Sequence, residues 1–228
     1  MAVSMSAEEA QVEPPAPLPH PSAASELFER RRLFFILAVL VVELVIFFVA
    51  TSIPIDATTQ RSLQNEAKNL AGTTGNLGPT DLFLFIFTHN AMIALGEMIP
   101  ILGGFLWVFS IYTTGQIIAS VALSQGFPGL LYGVLVLVLP FAIVELSAYA
   151  VAVASGTLLL VAWRRHRLRK EMRVLALEIG LVAVMLLTAA AMETVTIVDA
   201  TVGFLLWIPT GLLVVALIWA STADRRLR

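Results

Sequence analysis

LFLFIFTHNAMIALGEMIPILGGFLWVFSIYTTGQIIASVALSQGFPGLLYGVLVLVLPFAIVELSAYAVAVASG, residues 82–156, decides the class of this chain. The stretch is almost wholly apolar, yet it holds His89, Asn90, Glu97 and Glu145, with Pro100, Gly103, Gly104, Gly115 and Pro140 between them. In a soluble core such groups need only hydrogen-bond partners. Here 58% of residues are hydrophobic and 13% charged, against roughly 25% charged in soluble domains, so the surrounding solvent is lipid. A charge at the bilayer centre costs between about 3 and 17 kcal/mol, which turns such residues toward a bundle interior or a water-filled cavity.

Working toward the N-terminus, 56–81 is a polar loop rich in Thr, Gln, Asn and Gly, and 58–70 within it has the makings of a short surface helix ending at Gly72 and Gly75. Before it, Arg30, Arg31 and Arg32 lead into the apolar run 33–55, long enough to cross a hydrocarbon core of roughly 30 Å. Glu43 lies in its middle. Residues 1–29 carry Pro14, Pro15, Pro17, Pro19 and Pro21 among Ala, Ser and Glu and are expected to be a disordered cytoplasmic tail. They do not read as a secretion signal, since Glu8, Glu9 and Glu13 stand where that signal needs positive charge.

Within the opening stretch we expect a helix over 82–99, a turn at 100–104, and a helix over 105–123 that either spans or re-enters. The run 130–163 is too long for one straight span, and Pro140, which lacks an N–H and clashes with the preceding turn, is expected to kink it. A basic segment, 164–173, is followed by a fifth span over 174–192, an acidic turn over 193–199 and a sixth span over 202–220. The fold class is therefore all-α: a polytopic transmembrane helical bundle of about six spans, forming one domain over 30–228, with broken or kinked elements at Pro100 and Pro140. All Lys and Arg except Arg61 and Lys68 precede the first span, lie between the fourth and fifth, or follow the sixth. By the positive-inside rule both termini are cytoplasmic, the 56–81 loop is outside, and the location is the cell membrane.

Asn90 and Glu97 are seven residues apart and share a helical face with Ala94. Asn90 is expected to bond across a helix interface, and His89, about 100° away, to sit near the outer boundary. Glu97, beside Pro100, is expected near the helix end within reach of cytoplasmic water. Glu145 lies five residues past Pro140, where its carboxylate and the carbonyls freed by the proline could share water or a cation. Its stripe continues through Ala148, Ala152 and Gly156, a small-residue face suited to close packing in lipid. Glu43, Glu97 and Glu145 each also have a plain structural reading as a carboxyl donating one hydrogen bond to a neighbouring helix.

Enzyme chemistry has no foothold. There is no Gly-x-Ser-x-Gly elbow, no paired-His zinc motif and no phosphate-cradling glycine loop with a lysine. No cysteine is present, so thiolate chemistry is excluded. His89, Glu97 and Glu145 are too dispersed to form a metal motif, no cofactor is indicated, and a net charge of −2 without a basic-aromatic run gives no reason to expect nucleic acid.

The pieces Phe87-Thr88-His89-Asn90-Ala91, the turn at 100–104, Thr114-Gly115, Leu139-Pro140-Phe141-Ala142-Ile143-Val144-Glu145-Leu146 and Gly156 together resemble the stage II sporulation protein M family of integral membrane proteins. The family usually has Asn-Gly where this chain has Thr114-Gly115, and Pro-His-Gly followed by a Glu where it has Pro140, Phe141, Ala142 and Glu145. The resemblance implies a multi-spanning, non-enzymatic membrane protein. Its best-known members hold peptidoglycan-degrading partners at the membrane in spore formers, and nothing in this chain indicates such a partner. The expected role is a scaffold or subunit of a membrane complex, in contact with membrane lipid and with a membrane-protein partner or a second copy. The alternative is a transporter or permease-like component with a polar path near Glu97 and Glu145.

Overall fold

A computed structural model describes residues 27–208. The expected tail over 1–29 falls almost wholly outside them, as does the expected sixth span beyond 208. The described residues form eight helices and no strand.

The first helix, α1 (Arg30–Ser52), runs 23 residues and stops where Pro54 forces Ile53 into an extended conformation, ψ 130°. Pro54 has no N–H, so the carbonyl of Ala50 loses its helical partner, and Gln116 Nε2 donates to it at 2.5 Å. The surface helix α2 (Ala57–Thr74) passes through Gly72 and ends at Gly75. Asp56 caps it, accepting from the amides of Thr58 at 3.0 Å and Thr59 at 3.1 Å. These donors, with the Thr59 hydroxyl foremost, hold the Asp56 carboxyl below its ordinary range. No residue of α2 is buried. It is held to the bundle by Gln64 Nε2 donating to Ser120 O (3.4 Å) and Ser120 Oγ donating to Gln60 O (3.1 Å).

Pro79 opens α3 (Pro79–Glu97), its missing N–H harmless at the first helical position. One stripe of α3 is buried: Leu82, Ile86, Asn90, Ala94 and Glu97. A turn over 98–101 then reverses the chain. Ile101 takes φ 71°, unusual for a β-branched residue, and a Cβ at Gly103 would come within 1.9 Å of Glu97 O. The helix α4 (Leu102–Ser124) therefore starts earlier than expected and packs against α3 as a hairpin. Of the two turn glycines only Gly103 is demanded by packing, since a Cβ at Gly104 would meet open space.

The expected single kinked element over 130–163 is instead two helices, α5 (Gly129–Leu137) and α6 (Pro140–Arg164). Leu139, held extended by the proline after it, breaks the chain, and Pro140 begins the second helix rather than bending one. α6 is the hub. Residues 148–156 of it are buried without exception, and it packs against α1, α3, α4, α5 and most extensively α7.

After a turn at 165–167, α7 (Leu168–Val198) runs 31 residues. The fifth span therefore does not stop at 192, and the acidic turn expected from 193 is helix up to Val198. The basic segment is likewise mostly helical. Asp199 ends α7 and caps the short α8 (Ala200–Leu205) by accepting from Thr201 and Val202 amides. Beyond it Trp207 Nε1 donates at 2.6 Å to Val138 O, a carbonyl left open at the α5–α6 break. Among the described residues four helices, α1, α4, α6 and α7, are long and apolar enough to cross a membrane; α3, which carries Asp81, Thr88, His89, Asn90 and Glu97, is not one of them.

Candidate functional site: a carboxyl cluster inside the bundle

Close packing at two glycines and two alanines brings the site together. Gly115 lets α4 cross α1, since a Cβ there would lie 2.6 Å from Ala50 Cβ. At Gly156 of α6, a Cβ would lie 2.6 Å from Met98 O, so the end of α3 rests directly on α6. Ala148 and Ala152 are fully enclosed. The stripe expected as a close-packing face is therefore consumed within the chain and is not open to a partner.

Around that junction lie Glu43 from α1, Glu97 from the end of α3, Trp107 from α4, Glu145 and Tyr149 from α6, and Glu193 from α7. Glu43 lies within electrostatic reach of Glu97 and Glu145, and Glu145 within reach of Glu97 and Glu193. Glu43 is 0% and Glu97 1% exposed, and neither carboxyl has a hydrogen-bond partner in the described residues. Trp107 lies close enough to Glu43 to interact with its carboxyl, though its Nε1 falls short of full hydrogen-bond geometry. Glu145 is half-buried and accepts from Tyr149 Oη at 3.0 Å.

One expectation is corrected here. Glu97 does not reach cytoplasmic water; the turn at 98–101 folds the start of α4 back over it. At Pro140 the carbonyl that loses its helical donor, Val136 O, accepts instead from the amide of Leu139 at 3.0 Å. Val138 O is taken by Trp207 and Leu139 O by the amide of Ala142, while Glu145 turns to Tyr149. Asn90 lies on the buried stripe with Ala94 and Glu97, and His89 is exposed, its ring stacked on Phe85 with centroids 6.3 Å apart.

Glu145 and Glu193 also line a groove of about 420 Å³ between α2, α3, α4 and α7, together with His89, Asn90 and Thr114. The cluster thus runs from that groove through Glu145 to the enclosed Glu97 and Glu43. No three His, Cys, Asp or Glu side chains among the described residues are grouped to hold a metal ion. What the arrangement offers is a set of carboxyl oxygens with unfilled hydrogen-bonding capacity in an apolar interior.

A second buried polar group lies at the other end of α6. Arg32, 8% exposed, donates to both Glu171 and Glu178 of α7, and Glu178 is fully buried. Arg32 had only the appearance of a flanking charge in the sequence. Glu178 carried a signal, being an acid inside an apolar run as Glu43 is; Glu193 was hidden by its assignment to a turn, and Trp107 and Tyr149 by resembling ordinary apolar positions.

Fold and site together define a helical integral membrane protein whose bundle encloses carboxyl groups. The chain belongs to the stage II sporulation protein M family, whose model matches residues 33–196. That match takes in the four long apolar helices almost entirely. Comparison with curated proteins and with solved structures gives no match.

Proposed function

We propose that this protein is a non-enzymatic scaffold or subunit of a larger complex in the cell membrane. Its topology in this reading has six crossings, with α3 and the segment over 202–220 completing the four long apolar helices, the basic ends cytoplasmic and α2 outside. The observation that carries it is α2. A polar 18-residue helix is capped by Asp56 and fastened to α4 through Gln60, Gln64 and Ser120, yet buries no residue of its own. Its exposed face, with Arg61, Asn65, Lys68 and Asn69, is a fixed polar surface at the membrane boundary, and such a surface suits an extramembrane partner better than lipid.

The test is affinity purification in mild detergent from native membranes, read by mass spectrometry. We expect partners to accompany the wild type and Glu145→Gln alike, and to be lost from a paired Arg61→Glu, Lys68→Glu variant. Recovery of the protein alone in every case would sink the scaffold reading.

A second reading has its own observation: the unpartnered carboxyls of Glu43 and Glu97 join, through Glu145, to the groove beneath α2. As a transporter or permease-like component, the protein would lose solute or proton flux in liposomes with Glu145→Gln while remaining assembled. A scaffold would be indifferent to that change.

A further inference from the structure

The cytoplasmic end of the bundle, on the orientation proposed above, holds a cleft of about 310 Å³ between the start of α1 and the α6–α7 turn. Two chain segments far apart in sequence supply its cations: Arg31 from α1, and Arg165, Arg167 and Lys170 from the turn and first turn of α7. The turn itself is tight. His166 takes φ 56°, and the amide of Arg167 bonds back to Ala162 O at 2.9 Å. This geometry sets Arg165 and Arg167 on the same concavity.

Two acids also line the cleft, and they do not cancel it. Among the described residues Glu171 is engaged by Arg32, which spends its own charge on Glu171 and Glu178, leaving Glu29 against Arg31, Arg165 and Arg167. The Arg32 pairs also pin the start of α1 to α7, so the two cationic walls are held at a fixed separation before any ligand arrives. The floor is different in kind. Leu158 and Val161 of α6 form it, and Val161 is 37% exposed. Trp163 stands 62% exposed beside the same turn, as interfacial tryptophans do at headgroup level.

A cationic rim over an apolar floor at headgroup depth matches an amphiphile rather than a free anion. Guanidinium forks bind phosphate oxygens bidentately, and basic pockets between membrane helices at the cytoplasmic face take lipid headgroups. We propose that this cleft is a binding site for the phosphate-bearing headgroup of an anionic membrane lipid, with Arg31, Arg165 and Arg167 on the phosphate and Leu158 and Val161 against the start of an acyl chain. The site does not depend on which of the two functional readings above is right.

The experiment uses the full chain in non-ionic detergent, with lipid retention read by native mass spectrometry. Phosphatidylglycerol, cardiolipin and phosphatidylcholine are the probes, and inorganic phosphate is the competitor. Each basic residue near an anionic surface contributes roughly a fivefold factor in binding, so a double Arg165→Gln, Arg167→Gln variant should retain anionic lipid about twenty-five-fold less. A control variant, Arg61→Gln with Lys68→Gln, removes the same charge from α2 and should retain it fully. If the first variant fails to fold by circular dichroism, Arg31→Gln alone should show about a fivefold loss. Equal retention of anionic and zwitterionic lipid, equal loss in the control, or unchanged retention in the cleft variants would each overturn the proposal. So would displacement of the lipid by millimolar inorganic phosphate, which would make the site one for soluble anions.

Discussion

At the residue scale the bundle buries two kinds of ionisable group, and they predict opposite responses to substitution. Arg32 is paired, and its removal leaves Glu178 enclosed with no counter-charge; breaking such a pair costs about 3 kcal/mol or more. Arg32→Ala should therefore lower the melting temperature in detergent markedly, and a variant that melts with the wild type would show the pair to be idle. Glu43 is unpaired. A buried polar group without a partner costs about 1–3 kcal/mol, so Glu43→Leu should raise the melting temperature. A fall instead would reveal that the carboxyl is satisfied in the membrane by a group beyond the described residues. Sequence alone could separate these cases only halfway. The stripe of Asn90, Ala94 and Glu97 follows from helical periodicity, whereas Arg32 meets Glu178 across 146 residues, a contact no local pattern encodes.

At the element scale, prolines and glycines explain most of what was legible. Pro54, Pro79 and Pro140 each mark a helix end or start in the structure, because a missing N–H and a restricted preceding residue act locally. Of the three, only Pro140 enters the boundaries expected from sequence, which carry the first span past Pro54 to 55 and start the second helix at 82. Pro140 was misjudged in degree. A kink leaves the neighbouring carbonyls strained but covered, while a full break needs a donor for Val138 O, and that donor, Trp207, comes from the far end of α7 and α8. The two glycines of the α3–α4 turn make a matched test. Gly103→Ala places a Cβ against the backbone of Glu97 and should cost at least about 2 kcal/mol. Gly104→Ala meets nothing within 4 Å and should be neutral or slightly stabilising through helix propensity. Equal melting temperatures for the two would show that the turn is not packed as described.

At the scale of the whole molecule, the polar ends of the bundle define its two faces, and the structure ties each end together by contacts independent of the charge rule. Arg32 binds Glu171 and Glu178, so the start of α1 and the start of α7 share one end. Gln64 and Ser120 join α2 to the end of α4, and Gln116 joins α4 to the end of α1 at Ala50, so α2 lies at the other. The 23 residues of α1 between these ends rise about 35 Å at 1.5 Å per residue, more than the roughly 30 Å of a hydrocarbon core. Lys68 on α2 and Arg167 in the α6–α7 turn should accordingly lie on opposite sides of the membrane. The chain has no cysteine, so Lys68→Cys and Arg167→Cys can each be labelled without background. A membrane-impermeant maleimide applied to intact cells should modify the first and reach the second only after permeabilisation. The reverse result would invert the orientation while preserving the bundle, because the basic ends would then face outward together. Labelling of both from one side would be more damaging, since no arrangement that keeps the Arg32 and Gln64 contacts can place those two positions on the same face.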